Sequence, residues 1–136
     1  MMMKKWILNG LAVMSLSLLA NIVLAATTTP AFTDPTKPIM LKQAQPDFDV
    51  NLASNPTTGY SWFIKSYPEQ QLQLVSHQYN APNTKLVGAG GYENWHFRAQ
   101  ANSFLAPQIF TITFLYIRPW EVPMDGKPIV ITVVTT

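Results

Sequence analysis

The chain has 136 residues, with 48% apolar and 12% charged side chains and no cysteine. That length fits one ordinary domain. The apolar content excludes a disordered chain, the low charge excludes an electrostatic nucleic-acid binder, and the missing cysteine excludes disulfides and a thiol nucleophile.

Two lysines, Lys4 and Lys5, stand at the start, and an apolar run follows from Trp6 to Leu24, interrupted by Asn9, Gly10 and Asn21. It closes on Val23-Leu24-Ala25. A positive start, an apolar middle and small residues at −3 and −1 make residues 1–25 a secretory signal. Cleavage is expected after Ala25, with Ala20 as the second choice. The competing reading is an uncleaved anchor, because the run is nearly long enough to span a bilayer. The polar interruptions favour cleavage, and no Cys follows the run to carry a lipid. Removing 1–25 takes two of the nine basic residues and none of the seven acidic ones, so the formal charge falls from +2 to 0. Nothing electrostatic then draws the mature chain to nucleic acid or an anionic membrane. It is read as an exported monomer, periplasmic or secreted.

Residues 26–36 read as a flexible tether, since Pro30 and Pro35 forbid a helix and little there can be buried. The domain proper is 37–136. Pro38 to Lys42 reads as a short edge strand. Asp47 to Leu52 alternates strictly, with Phe48, Val50 and Leu52 on one face, which is a half-buried strand. Asn55-Pro56-Thr57-Thr58-Gly59-Tyr60 then reads as a stiff loop. Asn55 is expected to form an Asx turn with the backbone two residues on, Pro56 fixes its own φ, and Gly59 permits a positive φ. Thr57 and Thr58 would have their hydroxyls displayed between those fixed points. An ordinary Pro/Gly turn is the plainer reading of the same residues.

Tyr60, Trp62 and Ile64 share a face of the next strand. Leu72 and Leu74 lie on one face of the following strand and Val75, His77 and Tyr79 on the other, so a bulge is expected at Leu74-Val75. Gly88-Ala89-Gly90-Gly91 reads as a flexible hairpin, without the lysine and helix of a phosphate loop. Beyond it Trp95, Phe97 and Ala99 alternate with Asn94, His96 and Arg98. The longest strand runs from Gln108 to Arg118, with Phe110, Ile112, Phe114 and Tyr116 on one face. Pro119 ends it, and Trp120 lies just outside. Met124 to Lys127 is a turn, and Ile129, Ile131 and Val133 alternate through a last strand. About seven short strands separated by turn signals predict an all-β, antiparallel sandwich of immunoglobulin type, with an open barrel as the alternative.

No reaction machinery accompanies this scaffold. No serine sits in a nucleophile elbow. His77 and His96 lie in different strands, neither at a spacing that makes a metal-ligand set. The carboxylates are scattered, and no cofactor is expected. Three loops remain: Asn55–Tyr60, Gly88–Gly91 and Arg118-Pro119-Trp120. In an immunoglobulin-type sandwich they fall between strands B and C, D and E, and F and G, and the first and last share one end.

These three segments, in this order, resemble the chagasin family of cysteine-peptidase inhibitors. Asn55-Pro56-Thr57-Thr58-Gly59-Tyr60 is similar to its first loop, Val87-Gly88-Ala89-Gly90-Gly91 to its second, and Tyr116-Ile117-Arg118-Pro119-Trp120 to its third. The resemblance covers roughly residues 37–136. It implies an immunoglobulin-like fold and reversible, tight inhibition of papain-like peptidases, the first loop entering the catalytic cleft and the other two gripping its sides. Trp120 is then the aromatic anchor, and Gly90 and Gly91 allow close backbone approach. Asn102-Ser103-Phe104-Leu105-Ala106 departs from the glycine that members often carry before the long strand. The alternative, from another class, is an exported immunoglobulin-like module that stacks sugar or an envelope partner on exposed Tyr and Trp.

Overall fold

The computed structural model describes Thr29 and residues 31–121 and 126–136. Eight strands follow in chain order: β1 (Ala31–Phe32), β2 (Ile39–Leu41), β3 (Asp47–Ser54), β4 (Ser61–Ser66), β5 (Leu72–Asn80), β6 (Gly91–Ala99), β7 (Gln108–Ile117) and β8 (Pro128–Thr135). They form two four-stranded sheets, ordered β1-β3-β6-β5 and β2-β8-β7-β4. The fold is the all-β sandwich that the alternating pattern predicts. The secretory signal lies outside the described residues, as do Met124 and Asp125 of the predicted turn.

The core follows from period-two alternation. Phe48, Val50 and Leu52 of β3 and Trp95, Phe97 and Ala99 of β6 are buried, and so are Ile112 and Phe114 of β7 and Ile131 and Val133 of β8. Phe48 stands directly opposite Phe97, and the rings stack at 5.5 Å. Trp95 meets Phe114 edge-on at 5.4 Å, joining the two sheets. Outward-facing residues of the first sheet form polar pairs, each directly opposite in register: Asp47 with Arg98, Asp49 with His96 and Asn51 with Asn94. Cross-strand pairs of this kind fix register as well as adding stability.

Three expectations change. Ala31 and Phe32 belong to no free tether: they pair in parallel with Asp49 and Val50, and Phe32 packs against the core. The sheets are not wholly antiparallel, because β2 also runs parallel to β8. The bulge in β5 is present, with Val75 the residue skipped between the Leu74–Phe97 and Ser76–His96 pairs. Its effect is the reverse of a simple face reading. The extra residue restores phase, so His77 pairs with Trp95 and Tyr79 with Glu93 on the same inner side as Leu72 and Leu74.

The segment that lacks the expected glycine is held by side chains. Ala101–Phe104 make a 3-10 turn, Ser103 Oγ donates to the Gln71 carbonyl at 2.8 Å, and Thr135 Oγ1 donates to the Ser103 carbonyl at 2.6 Å. No non-glycine residue among those described has a positive φ, so this turn needs no glycine.

Candidate functional site

The three sequence-predicted loops meet at one end of the sandwich, and Asn55 is where they meet. Pro56–Thr58 form a single 3-10 turn, entered from a non-helical Asn55 (φ −132, ψ 85) and closed by Gly59 at φ +82. Pro56 accounts for the first of these conformations and the absence of a side chain on Gly59 for the second. The turn is closed by Thr58 N–H to the Asn55 carbonyl at 3.1 Å and Gly59 N–H to the Pro56 carbonyl at 2.9 Å.

The Asn55 side chain does not make the expected Asx turn. Its Oδ1 accepts the Thr57 hydroxyl at 2.6 Å, and its Nδ2 donates to the Gly88 carbonyl of the second loop at 2.9 Å. Its backbone N–H donates to the Tyr116 hydroxyl at 3.0 Å, at the end of β7 before the third loop. One residue therefore ties all three loops. The threonines are also less free than the sequence suggests, because Thr58 Oγ1 donates to the Asn55 carbonyl at 2.7 Å. Both hydroxyl protons are used inside the loop, although both residues are exposed.

The third loop closes on the first. Arg118 Nε donates to the Thr58 carbonyl at 3.0 Å, and its guanidinium carbon lies 4.5 Å from the centre of the Tyr60 ring. A hydrogen bond from Arg118 to Glu121 Oε1 at 2.8 Å raises the guanidinium pKa above its ordinary value, aided by the charge of Glu121 and opposed by desolvation. The Trp120 ring lies over Gly59: a Cβ there would sit 2.8 Å from Cη2 and Cζ2 of the indole. Trp120 nonetheless remains 68% exposed, so it is not a core residue. Below the loops Tyr60, Tyr116 and Trp62 form a stack, with successive centroids at 5.3 and 4.8 Å.

Gly88 has φ +78, and Gly90 presses on the base of the first loop, where an added Cβ would lie 3.1 Å from the Ser54 carbonyl oxygen. Ala89 N–H donates to the Leu86 carbonyl at 3.3 Å, which makes the tip a turn that projects Leu86 and Val87 into solvent. Gly91 lies beside the Asn80 carbonyl, where only a hydrogen fits. Pro119 is exposed beside Trp120. Contacts thus join Asn55, Thr58, Gly59, Tyr60, Gly88, Gly90, Arg118 and Trp120 at one end of the sandwich, with Pro56, Thr57, Ala89, Gly91 and Pro119 next to them in the chain. The sequence places Tyr116 on the core face of its strand and at the start of the segment similar to the third loop, but gives it no role toward Asn55. Its hydrogen bond to Asn55 spans 61 residues, and no local pattern signals it.

A family model described as "Chagasin family peptidase inhibitor I42" matches residues 43–133. The chain belongs to the chagasin family of peptidase inhibitors. Chagasin from Trypanosoma cruzi is 35% identical over 79 residues, which are 55% of this chain and 67% of that protein. The crystal structure of the cysteine protease inhibitor EhICP2 from Entamoeba histolytica matches with a TM-score of 0.62 at 23% identity, covering 79% of this chain and 96% of the other. The solution structure of Amebosin matches at 0.58 and 21% identity, over 80% of this chain and 99% of the other. The structure of PbICP-C in complex with falcipain-2 matches with a TM-score of 0.54 at 14% identity, covering 81% of this chain and 91% of the other. At these identities the structural matches establish a shared fold. As a chagasin-family chain, the protein is a peptidase inhibitor and not an enzyme.

Proposed function

We propose that this protein is a reversible, tight-binding inhibitor of papain-like cysteine peptidases that acts as a monomer. It seats Asn55–Tyr60 in the catalytic cleft, with Gly88–Gly91 and Arg118–Trp120 on either side. The observation that carries this reading is the Asn55 side chain, which bonds Thr57 and Gly88 at once and so preforms the surface before any partner arrives. The complex of PbICP-C with falcipain-2 supports the peptidase class. A papain-like site holds a thiolate beside an imidazolium. The first loop offers that pair neutral groups only, so no charge is buried unpaired on docking. The single cation of the surface, Arg118, already holds its own carboxylate. Titration of active papain with purified residues 26–136 is expected to remove activity at one-to-one stoichiometry. A folded domain that leaves papain fully active overturns the proposal and returns the carbohydrate or envelope-partner reading.

Export is part of the same proposal, motivated by Lys4, Lys5 and the Val23-Leu24-Ala25 end of the apolar run. Mass spectrometry of the periplasmic or secreted protein is expected to find a mature chain beginning at or near Ala26. An intact Met1 on membrane-held protein defeats this part alone.

A further inference from the structure

Glu93 is the one buried carboxylate among the described residues, at 3% exposure. A buried charge is costly unless donors surround it, so its surroundings bear on what it does. Oε1 accepts the Ser54 hydroxyl at 2.7 Å and the Trp62 backbone N–H at 3.2 Å. Oε2 lies 2.7 Å from His77 Nε2. The His77 ring is itself held flat on Trp95 at 3.6 Å between centroids.

The positions of these donors matter more than their number. Ser54 is the residue immediately before Asn55, and Trp62 lies two residues after Tyr60. The entry and exit of the first loop therefore end on the same carboxylate oxygen. Ser54 belongs to one sheet and Trp62 to the other. Trp62 lies on β4, an edge strand, and its N–H faces away from β7 toward Glu93. A second link crosses the same gap, from Trp62 Nε1 to the Ala53 carbonyl at 2.9 Å. Glu93 also stands two residues beyond Gly91, where the second loop enters β6. The Ser54 hydroxyl and the Glu93 carboxylate are buried behind the loops, and neither is part of the apolar core that Trp62 and Trp95 help to form.

We propose that Glu93 is a positioning residue: its buried carboxylate pins both stems of Asn55–Tyr60 and so sets where that loop stands against a peptidase. The effect on inhibition rests on the inhibitor reading above, whereas the effect on loop order does not. A neutral side chain with a carbonyl oxygen in the same place keeps the Ser54 and Trp62 bonds, and His77 can meet an amide through its other tautomer. Glu93→Gln should therefore stand in for the native residue, and Glu93→Ala should not.

The test uses the mature domain carrying Glu93→Ala, Glu93→Gln or Ser54→Ala. Backbone order parameters are measured at Thr57, Thr58 and Gly59, with Ile112 and Val133 as core controls, and papain inhibition is measured well below each melting temperature. In Glu93→Ala the loop amides are expected to fall from about 0.85 to below about 0.6 while the controls hold. Inhibition is expected to weaken at least tenfold, and Glu93→Gln to recover most of both losses. Loop order and inhibition that match the native protein in Glu93→Ala overturn the proposal, as does an equal loss of order in loop and core. If Glu93→Ala does not fold, Ser54→Ala decides: it leaves the carboxylate two of its donors, and a loop as ordered as the native one overturns the proposal. A native domain that fails to inhibit papain removes the inhibitor reading, and the order parameters still decide the role of Glu93.

Discussion

Trp120→Ala is expected to weaken papain inhibition by about 2 kcal/mol or more, roughly thirtyfold, almost all of it through faster dissociation. The free domain leaves this indole 68% exposed at the rim of the preformed surface, so an enzyme that covers it gains most of its apolar area. Large aromatic anchors of this kind dominate protease–inhibitor contacts of ordinary size, about 800 Å² per partner. In the free protein the ring touches Gly59 but no buried residue cluster includes it, so the melting temperature should change little. Stopped-flow association, jump-dilution dissociation and a thermal melt separate the effects. A sharp fall in melting temperature with an unchanged inhibition constant would show that Trp120 serves the fold rather than the partner.

What the sequence disclosed and what it hid divide along a physical line. Alternation exposed β3, β6, β7 and β8, because one buried face imposes a period of two on the residues themselves. Pro56 and Gly59 disclosed a turn, because their backbone restrictions are intrinsic. Cross-strand chemistry was not legible. Asp49 and His96 are 47 residues apart and look unrelated, yet register puts them opposite each other at 2.7 Å. The tether reading of Ala31 and Phe32 failed for a similar reason: two residues joined in parallel to another strand carry no period of their own. Asn55 marks the boundary between the two kinds of information. Its turn-forming habit suggested a local hydrogen bond to backbone, but Oδ1 accepts the Thr57 hydroxyl instead and Nδ2 donates to the distant Gly88 carbonyl.

If the first loop enters the peptidase cleft as proposed, the same internal bonds would keep it from being cut, and Gly59→Ala is where that mechanism should break. An extended substrate presents free carbonyls to the nucleophile. Here the Asn55 carbonyl accepts from both Thr58 N–H and Thr58 Oγ1, the Pro56 carbonyl from Gly59 N–H, and the Thr58 carbonyl from Arg118 Nε. A turn so occupied does not extend, and its ends are held by paired strands and cannot leave as products do. Little loop entropy would be lost on docking, so affinity would come from preorganisation. An alanine at position 59 meets two obstacles. A left-handed conformation costs about 1 kcal/mol or more for a residue with a Cβ. The new methyl would also lie 2.8 Å from the Trp120 ring, so the loop or the anchor must shift. Together these should weaken inhibition by about 3 kcal/mol, on the order of a hundredfold, with the sandwich intact. Trp120→Ala removes the obstructing ring, so Gly59→Ala should cost clearly less on that background, a coupling that a double-mutant cycle reads directly. Pro56→Ala combined with Gly59→Ala should go further and turn the loop into a substrate, with scission between Thr57 and residue 59 detected by mass spectrometry. The native loop is expected to stay whole through long incubation with excess papain, and to bind papain whose cysteine carries a small alkyl group. Rapid scission of the native loop, or binding that demands the free thiol, would replace this non-covalent plug with a slow substrate or a covalent adduct.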